Sequence, residues 1–291
     1  MKIFLTGGAG DLGVLLARDL ELNGDVPVRL DIRESRNSQR GQVIRGSILE
    51  RSVLSKAMQG CEMVVHIAAW HGVHLVRGLK DEYDFWDLNA TGTFNVFEEA
   101  ARQNIKKVIY ISSTSVEDRF GIYGHTKVVG EEIALTYHQR HNMDVIVLRP
   151  GAFIPYWNKD IYSSFAEWAQ WYWKGAVHIN DVLQAVIKSI QLLKRNIIPE
   201  MPVLFVDGKY EYTDEDLRDW DIKGSGTTFK KYYAKYEPVA KKYDLDPALK
   251  PTVFDIKPTC KILGYEPTYS FLDLLQELEH FGAEGPAAPV F

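Results

Sequence analysis

The chain has 291 residues, of which 46% are hydrophobic and 25% are charged, and its formal net charge is −5. This length and composition are typical of a globular protein with one large domain or with a core domain and a smaller lobe. The negative charge argues against nucleic acid and against an anionic membrane surface as partners, because both bind basic protein surfaces.

Short apolar runs alternate with helical patterns over the first half of the chain. The apolar runs predict five strands, at Lys2–Thr6, Val26–Asp31, Met63–Ile67, Lys107–Ser112 and Val145–Leu148. The patterns between them predict four helices, at Asp11–Leu22, Arg51–Met58, Asp84–Gln103 and Tyr123–His141. Strands that alternate with helices predict a parallel sheet covered by helices on both faces. Such a sheet binds ligands at the carboxyl ends of its strands.

The pattern changes after Pro150, where residues 153–173 are aromatic and irregular. A helix at Val177–Leu193, a strand at Val203–Val206 and a helix at Phe271–Phe281 follow. We therefore predict an α/β protein with a Rossmann-type, doubly wound parallel sheet and a smaller, discontinuous C-terminal lobe. The predicted dinucleotide-binding core spans residues 1–150 and is completed by about residues 177–206. The predicted substrate lobe consists of residues 151–176 and 207–291.

A glycine-rich turn, Thr6-Gly7-Gly8-Ala9-Gly10-Asp11-Leu12-Gly13, joins the first predicted strand to the first helix. Its glycines allow a tight turn, close approach of the backbone to a ligand, and close contact between helix and strand. The positive end of the helix that begins near Asp11 suits an anion. An ordinary glycine-rich turn is the alternative, but the position in the first strand–helix–strand unit favours binding of a dinucleotide pyrophosphate.

Asp31 ends the second predicted strand, 21 residues after Gly10. A carboxylate at this place accepts hydrogen bonds from the ribose hydroxyls of adenosine and repels a 2′-phosphate, which favours NAD over NADP. Arg29 and Arg33 flank Asp31 and would soften this preference. A solvated acid at a strand end is the alternative.

Tyr123 and Lys127 stand four residues apart at the start of a predicted helix, so their side chains share one face. Hydride transfer at an alcohol carbon needs a base for the hydroxyl proton, and a tyrosine serves near neutral pH if a nearby positive charge lowers its pKa. Ser113 follows another strand and is placed to hold the substrate oxygen. Chance Tyr-x-x-x-Lys pairs are common on helices, but the ordered set of turn, serine and pair predicts an oxidoreductase site.

Further motifs accompany the glycine turn, Asp31 and the tyrosine–lysine pair. They are His66-Ile67-Ala68-Ala69, Asn89-Ala90-Thr91-Gly92-Thr93, Ile111-Ser112-Ser113, Arg149-Pro150, His178-Ile179-Asn180-Asp181-Val182 and Leu263-Gly264-Tyr265-Glu266-Pro267. Over most of its length, the chain resembles the extended short-chain dehydrogenase/reductase superfamily, in its NAD-dependent epimerase/dehydratase group. The motifs as a set are specific for the superfamily but not for one reaction.

The resemblance implies a role for each predicted site residue. Tyr123 would be the acid/base, Lys127 would lower its pKa and bind the nicotinamide ribose, and Ser113 would hold the reacting oxygen. Thr114 takes the place of Ser113 if the register shifts by one residue. The helices at residues 84–103 and 123–141 would form a homodimer interface. The implied cofactor-binding residues are Gly7, Gly10, Asp11, Leu12, Gly13, Asp31, Ser47, Ile48, Ala68, Ala69, Asn89, Ser112, Tyr123, Lys127, Pro150 and Gly151.

Three departures from the family pattern bear on substrate and cofactor. Sugar 4,6-dehydratases carry an Asp-Glu pair beside the catalytic hydroxyl, where this chain has Thr114-Ser115. The segment from Arg149 to Asp181 is shorter than in most nucleotide-sugar relatives and comparable with that of sugar-acid dehydrogenases. Its aromatic residues, among them Trp157, predict either a stacking wall for a small sugar ring or a hydrophobic cap. Ser47 replaces an acid that usually contacts adenine.

His66, His71 and His74 lie close together in the sequence and raise the question of a metal site. Since no carboxylate stands at a standard ligand spacing from them, we predict no metal. His71 and His74 follow the cofactor-facing alanines, and either is a candidate for substrate contact. Arg77 and Lys80, in the same loop, fit either an anionic substrate or plain exposure to solvent.

The two cysteines, Cys61 and Cys260, are too few for a disulfide framework or a four-cysteine zinc site. We therefore expect reduced thiols and a cytoplasmic protein. Each apolar run is shorter than the roughly 18 residues of a membrane-spanning helix, so we expect no membrane segment.

The sequence thus predicts an NAD(P)-dependent oxidoreductase, with NAD preferred, that acts on a carbinol carbon of a small-molecule sugar or sugar derivative. A nucleotide-sugar 4-epimerase, in which tightly bound NAD oxidises the substrate transiently, is the first alternative. A non-catalytic dinucleotide-binding sensor or scaffold is the second. Ser113, Tyr123 and Lys127 argue against the sensor, because a protein that only binds the cofactor has no need of a basic phenol.

Overall fold

Seven parallel strands form the central sheet in the computed structural model, which describes residues 1–34, 41–195, 198, 200–223 and 226–289. The strands are β1 (Lys2–Thr6), β2 (Val26–Asp31), β3 (Gln42–Arg45), β4 (Met63–His66), β5 (Lys107–Ile111), β6 (Asp144–Pro150) and β7 (Val203–Val206). Their order in the sheet is β3-β2-β1-β4-β5-β6-β7, with neighbouring strands parallel. The predicted doubly wound α/β fold is therefore confirmed.

Helices cover both faces of this sheet and build a separate layer near the C-terminus. They are α1 (Asp11–Leu22), α2 (Arg51–Ala57), α3 (Gly72–Val76), α4 (Glu82–Phe85), α5 (Gly92–Arg102), α6 (Gly121–His141), α7 (Phe165–Tyr172), α8 (Ile179–Arg195), α9 (Asp214–Arg218), α10 (Thr227–Tyr233), α11 (Glu237–Lys242), α12 (Lys257–Leu263) and α13 (Phe271–Phe281). A π-helical turn, Trp86–Thr91, connects α4 to α5. None of the described helices is both long enough and apolar enough to cross a membrane.

The alternation of side chains along each strand gives the sheet one apolar core on each face. In β1, Ile3 and Leu5 pack with α1 and α8, whereas Phe4 packs on the opposite side with α2, α5 and α6. This is the two-residue period of a strand, in which successive side chains point to opposite faces. Because helices cover both faces, most residues of the inner strands are apolar rather than alternately apolar and polar.

Aromatic side chains from two separate parts of the chain form a third core. Trp168, Tyr172 and Trp173 of the 156–176 region pack with Phe271 of α13, and the rings of Trp173 and Phe271 lie 4.4 Å apart. The indole nitrogens of two of these tryptophans are hydrogen-bonded: Trp168 donates to the Ile154 carbonyl and Trp173 to the Asp246 carbonyl, each at 2.9 Å. Buried tryptophans keep such partners because an unpaired N–H is costly away from water.

The long predicted helix Asp84–Gln103 is divided in the structure into α4, the π-helical turn and α5. Strand β3 and the short helices α3, α7 and α9 to α12 were not predicted. The predicted core and lobe also include residues 35–40, 196–197, 199, 224–225 and 290–291, which lie outside the described residues.

The order of the strands reverses between β1 and β4, and this crevice positions the site. Thr6 and His66, the last residues of these two strands, are paired directly across it. Open parallel sheets bind ligands at such a switch point, beyond the carboxyl ends of the strands.

Candidate active site

The glycine turn after β1 has a backbone that tolerates no side chain at two of its positions. Gly7 has a φ of +68°, and a Cβ atom built on it would lie 2.9 Å from the Ala68 backbone nitrogen. A Cβ atom on Gly13 would lie 2.4 Å from the Gly7 carbonyl oxygen. The turn therefore packs tightly against both the end of β4 and the start of α1, as predicted for glycines at these places.

The amino end of α1 lies directly behind this turn. Gly10 is its N-cap and has no side chain to cap the helix, and the first helical hydrogen bond runs from the Val14 nitrogen to the Gly10 carbonyl. The N–H groups of Asp11, Leu12 and Gly13 precede that bond, so they have no intrahelical acceptor. Backbone donors and the helix dipole together make this end suitable for a phosphate anion.

Asp31, at the end of β2, is hydrogen-bonded to the same turn. Its Oδ2 accepts a 2.9 Å hydrogen bond from the Ala9 nitrogen, and its Oδ1 accepts one of 2.9 Å from the Arg33 nitrogen. The Arg33 Nε lies 3.4 Å from the same Oδ1, and the side chain of Arg33 is 63% exposed. An arginine beside this acid weakens its repulsion of a 2′-phosphate.

Ser47 and Ile48 lie in the turn that follows β3. The Ser47 hydroxyl accepts a hydrogen bond from the Leu49 nitrogen at 3.2 Å. Ile48 is buried, and its side chain packs so closely over Gly92 that a Cβ atom there would lie 2.5 Å from it. Ile48 therefore supports the wall of the crevice through α5.

Ser113 and Tyr123 meet at the carboxyl end of β5. Ser113 caps a short 3₁₀ turn, Thr114–Val116, and its Oγ accepts a hydrogen bond from the Ser115 nitrogen at 3.1 Å. Tyr123 lies in the first turn of α6 and is buried, and the nearby Ser113 side chain lowers its pKa. Thr114, the alternative to Ser113, is half-buried one residue further along. Ser113 is thus the hydroxyl that acts on the phenol.

Lys127 lies one turn after Tyr123 on α6 and is buried. Its Nζ donates a 2.8 Å hydrogen bond to the Ile111 carbonyl, at the end of β5. Burial lowers the pKa of Lys127 from 10.5 to about 7, although the charge of Glu131 opposes this shift. The spacing predicted from the sequence therefore brings the ammonium group to the same strand end as Ser113.

The structure differs from the sequence-based expectation in the pKa of Tyr123. Burial raises this pKa above 10.0, and the hydrogen bond from Ser113 offsets only part of the rise. The sequence predicts a pKa that Lys127 lowers. Because burial lowers the pKa of Lys127 to about 7, only part of the lysine is charged at neutral pH, and this does not compensate for removing a phenolate from water.

Asn89 connects the π-helical turn to both walls of the crevice. Its Oδ1 accepts from the Trp70 nitrogen at 2.8 Å, and its Nδ2 donates to the Trp70 carbonyl at 2.8 Å and to the Thr126 Oγ1 at 3.2 Å. Thr126 directly precedes Lys127. Asn89 therefore reaches α6 through the hydroxyl of the residue before Lys127.

The remaining predicted cofactor residues lie around the same strand ends. Ala68 contacts Gly7 through its backbone, and Ala69 follows it in the half-buried segment after β4. Pro150 ends β6, and the Gly151 nitrogen donates to the Val206 carbonyl at 3.0 Å.

The Ser112 hydroxyl is hydrogen-bonded to a side chain of α6, on the far side of the strand end. It donates to the Glu131 Oε1 at 2.5 Å, and Arg149 binds the same carboxylate with its Nε at 2.9 Å and an Nη at 2.6 Å. A ligand would therefore meet Ser112 through its backbone.

Of the predicted substrate residues, His71 is the N-cap of α3, and its ring lies 4.3 Å from that of His74. Burial is the main reason that the pKa of His71 falls to about 3. Trp157 packs against both the sheet core and the aromatic core. Among the described residues, no three His, Cys, Asp or Glu side chains are grouped as metal ligands would be.

The segment of residues 155–162, formed by consecutive turns, is hydrogen-bonded both to the start of α1 and to the residue after α3. On one side the Asn158 Nδ2 donates to the Asp11 Oδ2 at 2.8 Å. On the other side the Arg77 guanidinium donates to the carbonyls of Asp160 and Ile161 at 2.9 and 2.7 Å. Sequence reasoning considered Arg77 for an anionic substrate and missed Asn158, because neither contact follows a local pattern.

A model of the NAD dependent epimerase/dehydratase family matches residues 3–166, more than half of the chain. The chain belongs to this family. The predicted resemblance is therefore confirmed, and the matched region includes the glycine turn, Asp31, Ser113, Tyr123 and Lys127.

Curated family members include several sugar-converting enzymes. The chain is 23% identical to a dTDP-glucose 4,6-dehydratase of Streptomyces niveus over 95% of its own length and 91% of that protein. It is 24% identical to a uronate dehydrogenase of Pseudomonas putida over 53% of its length and 62% of that protein. For several curated relatives, the matched region spans about half to two thirds of the relative's length.

Solved structures of this family share the fold over nearly the whole chain. The UDP-glucuronic acid 4-epimerase of Bacillus cereus, in complex with UDP-glucuronic acid and NAD, superposes with a TM-score of 0.70. The two proteins are 24% identical, and 98% of each chain is covered. The family and fold are thus shown, whereas the roles of the individual site residues stay predictions.

Proposed function

We propose that this chain is an NAD(P)-dependent oxidoreductase of the extended short-chain dehydrogenase/reductase type, acting on a carbinol carbon of a sugar or sugar derivative. The observation that carries the proposal is the grouping of buried Tyr123, whose pKa the Ser113 side chain lowers, with buried Lys127 one turn away, at the strand ends beside the glycine turn. Relatives that are sugar dehydrogenases, dehydratases and epimerases support the substrate class.

The crevice fits a dinucleotide. The side-chain-free turn and the N–H donors at the start of α1 suit the pyrophosphate, and the Asp31 carboxylate suits the adenosine ribose. Complexes of structural neighbours with NAD support the same cofactor. NAD is the preferred form, and Arg33 at 3.4 Å from Asp31 would permit weaker use of NADP.

Each residue of the site has a defined part in the proposed oxidation. Ser113 holds the substrate hydroxyl against the phenol, and Tyr123 takes its proton as the C–H bond breaks. A nicotinamide held in this crevice would supply the hydride acceptor and a positive charge. Such a charge near the phenol would lower the pKa of Tyr123, which burial alone raises. Lys127 holds the ribose and keeps a second positive charge near the phenolate.

A panel assay tests this proposal. The purified protein is mixed with NAD and, in turn, with a free uronate, free aldoses and UDP-glucuronic acid, while reduced nicotinamide is followed by its absorbance. We expect net reduction of NAD with a non-nucleotide sugar, because the 149–181 segment is short. Firm NAD binding without reduction or inversion of any sugar would instead favour a dinucleotide sensor.

A nucleotide-sugar 4-epimerase is the second candidate, and the 155–162 segment favours it. Asn158 ties this segment to Asp11 beside the pyrophosphate turn, and Arg77 ties it to the opposite wall. Release of the cofactor would require these hydrogen bonds to open, and an epimerase needs a retained cofactor. Inversion of UDP-glucuronic acid without net NADH formation would establish this function over the dehydrogenase.

The predicted substrate lobe, the homodimer and the cytoplasmic location belong to the same proposal. The aromatic core joins residues 156–176 to the C-terminal part of the chain, which supports a common lobe beside the crevice. Phe94 on α5 is 41% exposed and lies beside Tyr137 of α6, so an exposed aromatic side chain is available on this helix pair for contact with a second copy. Light scattering of the wild type and of Phe94→Glu tests the dimer, and a monomeric wild type would refute it.

A further inference from the structure

We propose that His66 is a positioning residue which, as a neutral imidazole protonated on Nε2, joins the glycine turn to the helix that carries Tyr123 and Lys127. The inference rests on the proposed function, since it concerns how the same site is held together. His66 is the last residue of β4, is buried, and is paired with Thr6, the last residue of β1, across the switch point. Both of its ring nitrogens are hydrogen-bonded to threonines.

Thr6 determines whether the Nδ1 nitrogen of His66 carries a proton. The Thr6 Oγ1 accepts from the Ile67 nitrogen at 3.0 Å and from the Ala68 nitrogen at 3.1 Å, so both lone pairs of the oxygen are used. The single hydroxyl hydrogen therefore points to the His66 Nδ1, which lies 2.7 Å away. Nδ1 must accept this bond and so carries no proton.

The hydrogen bonds around the Nε2 nitrogen of His66 indicate the same tautomer independently. The Thr93 Oγ1 lies 2.5 Å from the Asn89 carbonyl, and since a carbonyl can only accept, the Thr93 hydroxyl hydrogen is committed there. The same Oγ1 lies 2.9 Å from the His66 Nε2 and must accept from it. A protonated Nε2 and a bare Nδ1 define one neutral tautomer, and an imidazolium would leave Thr6 without an acceptor site.

The hydrogen bonds continue from this histidine to the proposed catalytic helix. Asn89 donates through its side chain to the Thr126 Oγ1, and Thr126 donates to the Tyr123 carbonyl at 2.9 Å. Each hydroxyl in the series donates in the same direction, from the Ala68 backbone towards α6. The position of the glycine turn relative to the Tyr123 phenol therefore depends on one imidazole, in which Nδ1 accepts a hydrogen bond and Nε2 donates one.

The surroundings favour the neutral imidazole. The ring is fully buried, and burial together with the nearby Lys127 charge lowers the pKa of His66 to about 3. The Tyr110 ring stacks on the imidazole, with centroids 5.5 Å apart, and limits its rotation. A flipped ring would place a C–H group against Thr6 or Thr93 and leave a buried hydroxyl unpaired.

Two substitutions separate the two ends of the histidine. In His66→Asn the amide oxygen replaces Nδ1, which keeps the Thr6 bond and loses the Thr93 bond. In His66→Gln the amide nitrogen replaces Nε2, which keeps the Thr93 bond and loses the Thr6 bond. We expect kcat to fall about tenfold in His66→Asn with the NAD dissociation constant nearly unchanged. We expect the NAD dissociation constant to rise about tenfold in His66→Gln.

A double-mutant cycle measures the coupling between His66 and Thr93 in kcat, which a purely structural role of His66 would not produce. Thr93→Val removes the acceptor for Nε2, so His66→Asn in that background should change kcat by less than about twofold. Additive effects, or equal losses of kcat and NAD affinity in both His66 variants, would overturn the inference.

The wild-type protein offers a test that needs no variant to fold and no turnover. Nitrogen-15 NMR distinguishes a protonated ring nitrogen from a bare one, and loss of one signal set in His66→Gln would assign the resonances. We expect a neutral ring with the proton on Nε2 at neutral pH. A proton on Nδ1, or an imidazolium, would overturn the inference even if NAD binds. Failure to bind NAD would refute the proposed function and leave this result standing.

Discussion

Replacing Lys127 by methionine should remove activity and at the same time stabilise the protein. Methionine keeps the length of the buried side chain but carries no charge. In the folded protein, burial lowers the pKa of Lys127 from 10.5 to about 7. The charged form therefore costs about 4 kcal/mol more at pH 7 in the folded state than in the unfolded chain.

Two effects determine the net change in unfolding free energy. The variant removes that cost, but it leaves the Ile111 carbonyl without its 2.8 Å hydrogen bond. A lost buried bond of this kind costs about 1–3 kcal/mol. We expect Lys127→Met to gain about 1–3 kcal/mol of unfolding free energy at pH 7, and the corresponding rise in Tm is about 2–5 °C.

The pH dependence supplies the sign of the effect. Because the folded pKa is lowered, the cost of the ammonium is complete below about pH 7 and disappears as the pH rises towards 10.5. The stability advantage of the variant should therefore shrink between pH 7 and pH 10.

Thermal unfolding by circular dichroism at a series of pH values measures this difference, and NAD reduction measures the loss of activity. Lys56→Met is the matched control, since Lys56 is exposed on α2 and should change stability by less than about 0.5 kcal/mol. A Lys127→Met protein that melts earlier than the wild type at pH 7, or that keeps its turnover, would refute this reasoning.

Three further predictions concern the cofactor and its retention. Asp31→Ala should weaken NAD more than NADP, because it removes the acceptor for the ribose hydroxyls and the repulsion of the 2′-phosphate; equal losses in titrations would contradict the assignment. Arg33→Ala should weaken NADP more than NAD, because it removes the cation beside that acid, and an unchanged ratio would exclude this role. Asn158→Ala should speed NADH release in stopped-flow fluorescence about fivefold, as expected for one lost hydrogen bond to Asp11. An unchanged rate would mean that the 155–162 segment does not retain the cofactor.

The sheet was predictable from the sequence because its strands are continuous apolar runs. Val26–Asp31 and Val203–Val206 coincide with β2 and β7, and α1 has the predicted bounds. The edge strand β3 was missed because its residues are only half-buried or exposed, so it lacks such a run. The short C-terminal helices were missed as well, since packing of aromatic rings stabilises them more than any helical periodicity does.

The residue types of the site were predictable from the sequence, but the long-range hydrogen bonds between them were not. Tyr123 and Lys127 are linked by the helical repeat, which the sequence displays directly. The π-helical turn that positions Asn89 depends on hydrogen bonds to Trp70 and Thr126, residues 19 and 37 positions away. The raised pKa of Tyr123 follows from burial by the fold, which no local pattern reports. Contacts of this kind become visible only in three dimensions.

The most direct measurement of the central claim compares the wild type with Tyr123→Phe on whichever sugar the wild type oxidises. Removing one hydroxyl eliminates the proton acceptor and leaves the turn, Asp31 and Lys127 in place. We predict NAD binding within about twofold of the wild type and a loss of kcat of about 10²–10⁴-fold, the usual contribution of a general base. A variant that binds NAD normally and keeps most of its turnover would show that the phenol does not take the proton.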